Sequence, residues 1–343
     1  MTVDQVSGGQ PTLEQVAALA GVGRGTASRV INGSPQVSAR TRELVMKAVD
    51  ELGYVPNQAA RTLVTRRTGT IALVIAESEE RIFGEPFFAG VVRGISSALN
   101  DAGRQLVLSL VQSDDQAARL GSYLTRQHVD GVLLLSLHDD EAFPFDLEAR
   151  RIPVVLGGRS AQWSGSFVDV DNAAGARQAV AHLAETGRRT IATISGPRAM
   201  ASGRDRLDGY SAALAAAGLE HDEELVVEGD FSEPSGWRGM DELLARRPDI
   251  DGLFAASDLM AMGAMRSLRA HGRRIPQDVG VIGFDGTTAS ETTEPPLSTV
   301  RQPLTRLGRE MGEMLLRHID EGEPVEERTV LPVELLVRGS TVE

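Results

Sequence analysis

The sequence contains no cysteine and only one lysine, Lys47. The first absence excludes disulfides and thiolate-bound metals, and it fits a cytoplasmic protein. The second leaves arginine to carry nearly all the positive charge, a mark of G+C-rich coding rather than of mechanism. No stretch of about 18 apolar residues is present, so no membrane span is expected. The opening "MTVDQVSGGQPT" lacks a basic segment followed by an apolar one, so export is not expected either. A phosphate-cradling Walker loop is missing. The six histidines are scattered, without zinc-ligand spacing and without a serine-nucleophile motif beside them. The expectation is therefore a protein with no catalytic residues, no metal and no cofactor. The stretch "HDDEAF" at 138–143 could hold a cation, but a solvated acidic loop is the simpler reading.

What is present is 343 residues, 41% of them hydrophobic and 24% charged, an ordinary globular composition long enough for two or three domains. The formal charge of −13 argues against nucleic acid until its distribution is examined. Residues 1–67 carry eight Lys+Arg against five Asp+Glu, while the remainder carries 27 against 43. A basic head on an acidic body is expected when only the head meets phosphate.

Four glycines lie in "VAALAGVGRGTASRVING" at 16–33, and two readings compete for it. A dinucleotide-binding loop needs a strand before the glycines and a third glycine where Thr26 stands. Here the preceding pattern is helical. Thr12 and Gln15 have capping-box spacing, and Leu13, Val16, Ala17 and Ala20 share one helical face. Gly21-Val22-Gly23 reads as a tight turn with Val22 plugging a small core. A second helix is predicted from about Arg24 to Ile31, with Ala27, Val30 and Ile31 inward and Asn32-Gly33 ending it. Ser38 caps a third helix that buries Leu44, Val45, Ala48, Val49 and Leu52 and ends at Gly53. The stretch is a helix-turn-helix, whose second helix enters the major groove of DNA.

On that helix Arg24, Gly25, Ser28 and Arg29 point away from the core. Arginine suits guanine, and Thr26 and Ser28 suit phosphate or cap duty; Thr12 and Asn32, at helix ends, complete the expected DNA-facing set. The alternative is a plain helical bundle with solvated arginines. After Pro56, Asn57 can cap a short helix over roughly 58–64 from which Leu63 projects, with Arg61, Arg66 and Arg67 nearby. An exposed leucine between domains suits a minor-groove wedge, or else a linker residue packed on the body.

The run from Thr12 to Leu63 resembles, almost without gaps, the DNA-binding head and hinge of the LacI/GalR family of bacterial repressors, and the likeness continues into the body. The resemblance implies base contacts at Arg24, Gly25 and Arg29. It also implies a hinge helix capped by Asn57, hinge–hinge packing through Ala60, and Leu63 wedged into the centre of a palindromic operator. Gly23 departs from the serine that often caps the recognition helix, and Gly25 leaves readout at its step to Arg24.

From "TIALVIAE" at 70–77 the pattern becomes short apolar runs alternating with amphipathic helices, the mark of parallel α/β units. Two sets, changing near "FVDVDNAAGARQ", predict two similar lobes, and "VLPVELLVRGS" is expected to return to the other lobe. The fold expected is a small all-α head at 1–55, a hinge at 56–68, and an α/β two-lobed, periplasmic-binding-protein-like effector and dimerisation domain at 69–343. Ligands of such sheets bind at the carboxyl ends of the strands. Phe87, Phe88, Arg159, Phe231, Ser257, Asp258 and Asp285 fall at such ends. Arg204 and Arg206 are expected in a loop entering a helix. By the resemblance, Arg206, Ser257 and Asp285 contact the effector and Phe231 forms an aromatic wall. Asp258 could instead only cap a helix, and Phe87 could be core. The family often has asparagine where Ser257 stands and a second acid where Gly286 stands.

The expected function is a cytoplasmic, homodimeric DNA-binding repressor released by a small sugar. "ESEERIFGEPFFAGVVRGISSAL" resembles the family's sugar-sensing members, including those answering to cellobiose. A purine or sugar-phosphate effector is the alternative within the class. Outside it stand a transport-type sugar receptor, which would need an export signal and no head, and a sugar-modifying enzyme, for which no acid/base pair is recognisable. The absence of a heptad tail favours a dimer over a zipper-held tetramer.

Overall fold

The structure, a computed structural model, describes residues 11–55, 67–139, 141–321 and 326–342. The chain divides into two compact units, Met1–Thr68 and Gly69–Glu343.

In the first unit three helices enclose a core of small residues. The Thr12 hydroxyl accepts the Gln15 amide at 3.3 Å and the Gln15 side chain accepts the Thr12 amide at 2.7 Å, so the capping box starts α1 (Leu13–Leu19). Gly21, at φ +66°, takes the left-handed conformation that turns the chain toward α2 (Arg24–Ile31). Ser38 caps α3 (Ala39–Leu52) through the Thr41 amide at 3.3 Å. Val16, Ala17, Ala20, Ala27, Val30, Val45 and Ala48 are buried together, with Val22 packed on them as expected. Leu44 is a correction: it is 46% exposed. The inward arc of α3 runs through Val45, Ala48, Val49 and Leu52, and Leu44 lies beyond its edge.

The second unit contains two six-stranded sheets. The first lobe holds β1 (Thr70–Ile75), α4 (Glu79–Gly84), α5 (Pro86–Asp101), β2 (Gln105–Leu110), α6 (Asp114–Tyr123), β3 (Gly131–Leu135), α7 (Phe143–Ala149), β4 (Val154–Gly157) and β5 (Phe167–Val170). The second holds α8 (Asn172–Glu185), β6 (Ile191–Ser195), α9 (Ala201–Ala216), β7 (Val226–Glu228), α10 (Glu233–Arg246), β8 (Gly252–Ala255), α11 (Asp258–Ala270), β9 (Gly280–Asp285), α12 (Thr288–Glu291) and β10 (Ser298–Arg301). The chain then returns through α13 (Leu304–Glu321), which packs on α5, and β11 (Arg328–Leu331), which pairs with β5. It crosses back once more to β12 (Glu334–Leu336), antiparallel to β10. The expected return thus begins at α13, before "VLPVELLVRGS", and that stretch itself divides between the sheets.

The sheet orders are β11-β5-β4-β3-β1-β2 and β12-β10-β9-β8-β6-β7, parallel except at β12. Strands buried on both faces explain unbroken apolar runs such as "GVLLL" in β3. Helices α5 and α13 touch almost backbone to backbone: a Cβ at Gly94 would lie 2.1 Å from the Thr305 carbonyl oxygen, and one at Gly308 would lie 2.0 Å from that of Val91. This contact fixes the returning helix on the first lobe. Three crossings, after β5, β10 and β11, join the lobes and leave the strand ends of both sheets around one cleft.

Candidate functional site

On the head, α2 exposes Arg24, Gly25 and Arg29, with Thr26 and Ser28 half-buried beside them. A Cβ at Gly25 would sit 3.8 Å from an Arg29 terminal nitrogen, so the Arg29 guanidinium spans the space that Gly25 leaves. Arg24 pairs with Glu14 at 3.0 Å, but its side chain stays 72% exposed. Such a pair is worth at most about 1 kcal/mol and yields readily to a phosphate or a base. Gly23 offers α2 no side-chain cap, and Asn32 Nδ2 donates to the Ser28 hydroxyl at 3.3 Å. The Thr12 hydroxyl is engaged in its cap. Asn57, Ala60 and Leu63 lie outside the described residues.

In the second unit a cavity of about 970 Å³, counted to its open mouth, lies between the two sheets. Phe87, Phe88, Arg159, Arg206, Phe231, Ser257 and Asp285 all line it. Of the adjacent pair Phe87 and Phe88, Phe88 is the core residue and Phe87 is only partly covered.

Arg206 is the centre of the second-lobe wall. It stands on α9, so the expected loop is already helix. Its Nε donates to Asn172 Oδ1 at 2.9 Å and its Nη1 to the Ala256 carbonyl at 2.5 Å. The guanidinium lies 3.7 Å from the centre of the Phe284 ring and 5.7 Å from that of Phe231. Asp285 stands 3.9 Å away and accepts from Gln302 Nε2 at 2.7 Å. Burial nevertheless pushes the Asp285 carboxyl up to about 7, against the pull of Arg206 and Gln302. Asp285 has φ +123° and Phe231 φ +69°, backbone that only glycine adopts without strain. The Phe231 ring is seated over Gly196, where a Cβ would be 2.2 Å from it, and the Ser257 hydroxyl donates to the Phe231 carbonyl at 3.1 Å.

Two expected effector residues are corrected. Asp258 is fully buried behind the wall and does not line the cavity. Its carboxylate accepts from the Thr287 amide at 2.7 Å, from the Thr287 hydroxyl at 2.9 Å and from Thr299 at 2.5 Å, which holds the loop after Asp285. Nor does it cap α11, because Ser257 does so through the Met260 amide at 3.1 Å. Arg204 is also off the cavity wall. Its guanidinium pairs with Asp139 of the opposite lobe and donates to the Arg198 carbonyl at 2.8 Å.

Sequence reading missed Arg81, Ser136, Asp169, Asn172 and Gln302, which line the cavity together with Glu85. Arg81 pairs with Glu77 and, at 2.8 Å, with Glu85, and faces the Phe231 ring from 5.6 Å. Burial raises the Glu85 carboxyl to about 7 although Arg81 opposes it. Arg159 holds Asp169 at 2.8 Å and reaches Asp205. Gln302 follows β10, and Asp169 and Asn172 lie on either side of the end of β5, positions that could have flagged them. The left-handed backbone of Ser136, at φ +63°, has no sequence signal. Three arginines line the cavity, and each has a carboxylate partner. Such a wall offers directional hydrogen bonds and aromatic faces rather than net charge.

The first region matches the model of bacterial regulatory proteins of the lacI family over residues 12–57, and residues 180–341 match the periplasmic binding protein-like domain. The transcriptional regulator CelR of Thermobifida fusca is 55% identical over 96% of this chain and 98% of its own length. The chain belongs to the LacI family. A solved CelR–cellobiose complex is similar with a TM-score of 0.78 and 53% identity, covering 96% of this chain and all of that one. The Lac repressor dimer bound to operator and an anti-inducer gives a TM-score of 0.86 at 30% identity over 98% of this chain and all of that one. Like these relatives, this LacI-family chain couples a helix-turn-helix head to a two-lobed α/β body. Among its described residues no helix is long and apolar enough to cross a membrane.

Proposed function

We propose that this LacI-family regulator represses genes of oligosaccharide use by binding a palindromic operator as a homodimer, and that cellobiose or a close β-glucoside releases it. The observation that carries the reading is 55% identity over 96% of the chain to the regulator CelR, together with 53% identity to a solved CelR–cellobiose complex. The cavity supports it independently. Arg81, Arg159 and Arg206 each stand beside a carboxyl group, Glu85, Asp169 and Asp285, so the wall presents donors and acceptors side by side, as a polyhydroxylated ligand requires. Phe231 and Phe87 offer apolar faces for sugar rings.

In this reading Arg24 and Arg29 contact bases, Thr26 and Ser28 contact phosphate, and Asn57, Ala60 and Leu63 serve the hinge. Two heads read half-sites related by the dimer axis. Edge strand β2, on which Val107 and Leu108 are exposed, leaves apolar surface for the second protomer. The sugar acts only through its different affinity for the operator-bound and released states. The protein works where the DNA is, in the cytoplasm.

The test is fluorescence anisotropy on operator selected from a DNA library at fixed salt, repeated with mono- and disaccharides. A palindrome bound tightly and released by cellobiose at lower concentration than by glucose is the expected result. Release by a purine or sugar phosphate but by no neutral sugar would overturn the effector class. Absence of any sequence preference would overturn the regulator reading.

A further inference from the structure

Two features that the ligand wall does not use, Arg204 and the acidic stretch after β3, meet each other across the cleft. Arg204, on the first turn of α9, pairs with Asp139 of the first lobe. The Asp139 amide donates to the Ala199 carbonyl of the second lobe at 3.0 Å. Asp205, the next residue, pairs with Arg159 of the first lobe. The Ala161 amide donates to Asp139 Oδ1 at 2.8 Å, which ties the two first-lobe loops together. The second lobe thus presents plus then minus, and the first lobe answers with minus and plus. The third residue of the run, Arg206, points into the cavity, and Arg159 also holds Asp169 on the cavity wall.

We propose that this charge quartet, Asp139–Arg204 with Arg159–Asp205, is a latch. It favours the arrangement in which both lobes line the cavity, and so sets how much effector is needed for release. A ligand that touches Arg159 and Phe88 on one lobe and Arg206 and Asp285 on the other binds only when the lobes are together. Its apparent affinity therefore scales with the populated fraction of that arrangement. Arg204 is a positioning residue here and touches no ligand. The dependence on effector rests on the sugar-release reading, but the latch itself can be read without it.

The experiment compares Arg204→Glu, Asp139→Arg, the double swap Asp139→Arg/Arg204→Glu, and the milder Arg204→Gln. One readout is hydrogen exchange of the residue 139 amide, which donates across the cleft. The other is the cellobiose concentration that half-releases operator. Each single reversal is expected to speed that exchange and raise the concentration about two- to fivefold, the scale of a partly exposed ion pair. Arg204→Gln is expected to act in the same direction and by less. The swap is expected to recover part of each, because the reversed pair can form while an arginine at 139 cannot accept the Ala161 amide, and 1 M salt is expected to flatten the differences. The Ala161 amide should stay protected in Arg204→Glu, showing that the loop itself is folded. Single variants that exchange like the wild type, or a swap no better than the worse single, would overturn the latch. If cellobiose fails to release the wild type, the sugar reading fails and the exchange pattern decides the latch alone.

Discussion

The two regions treat the same side chain in opposite ways. On the head, Arg24 is 72% exposed and held only by a surface pair with Glu14; in the cleft, the Arg206 side chain is 6% exposed and bonded to Asn172 and Ala256. The difference follows from the partners. A polyanion attracts cations through water and releases counterions, so its readers can stay solvated and mobile. A small neutral ligand contributes little charge, so the groups that meet it must be set in place beforehand. Hence strain and buried carboxylates collect at Phe231 and Asp285, while the head has a plain capped-helix architecture.

The comparison breaks most sharply if the cleft is damaged and the head is not. Asp285→Ala removes the buried partner of Arg206 and Gln302. Truncating one side of such a pair costs about 3 kcal/mol, roughly a hundredfold in the sugar concentration for release. Operator affinity without sugar is expected to stay within twofold, measured by anisotropy. A variant with a normal sugar response would remove Asp285 from the site. Next in size is Arg29→Ala, with an expected loss of about 1–3 kcal/mol confined to one G·C pair per half-site. Equal loss on every sequence would make Arg29 a phosphate contact instead.

The same contrast explains what the sequence discloses. The head is local: caps at Thr12 and Ser38, left-handed glycines at 21 and 53, and helical spacing all lie within a few residues of what they determine. Leu44 was misplaced only because it lies one step outside the buried arc. The alternation of strands and helices, and the lobe change near Val170, were legible for the same reason. The cleft is assembled from segments scattered between Arg81 and Gln302. Position at strand ends pointed to Arg159, Phe231, Ser257 and Asp285, and the family resemblance added Arg206; all five line the cavity. Direction was not legible: Asp258 sits beside Ser257 in sequence but faces Thr287 and Thr299, and Arg204 lies two residues from Arg206 but faces Asp139. Arg81 gave no signal, since its role depends on Phe231 approaching from the other lobe.

A smaller effect separates the cleft through pH. Burial raises Glu85 and Asp285 to about 7 in the folded chain, above ordinary carboxyl values near 4. Between those limits the folded state binds more protons than the unfolded one. Stability contributed by these groups is therefore present below the unfolded value and falls as pH rises from about 4.5 to about 7. Glu85→Gln is expected to flatten that part of the profile in thermal unfolding. Parallel profiles for Glu85→Gln and the wild type would mean that Glu85 is not held near neutrality.

The smallest effect lies at the start of the recognition helix. Gly23 has extended backbone, φ −70° and ψ 150°, as an N-cap requires, and among the described residues no atom beyond its chain neighbours stands within 4 Å of where its Cβ would be. A serine there needs no strain and no displacement, and its hydroxyl can accept an amide of the first turn of α2. Gly23→Ser is therefore expected to stabilise the head by a few tenths of a kcal/mol. The gain should appear as slower hydrogen exchange in residues 24–31, with unfolding of the body unchanged. Because the cap fixes the helix end that carries Arg24, operator affinity should rise slightly or hold. A fall in affinity with the same gain in protection would mean that the glycine is kept for close approach of the backbone to DNA. The head would then share the cleft's trade of stability for fit.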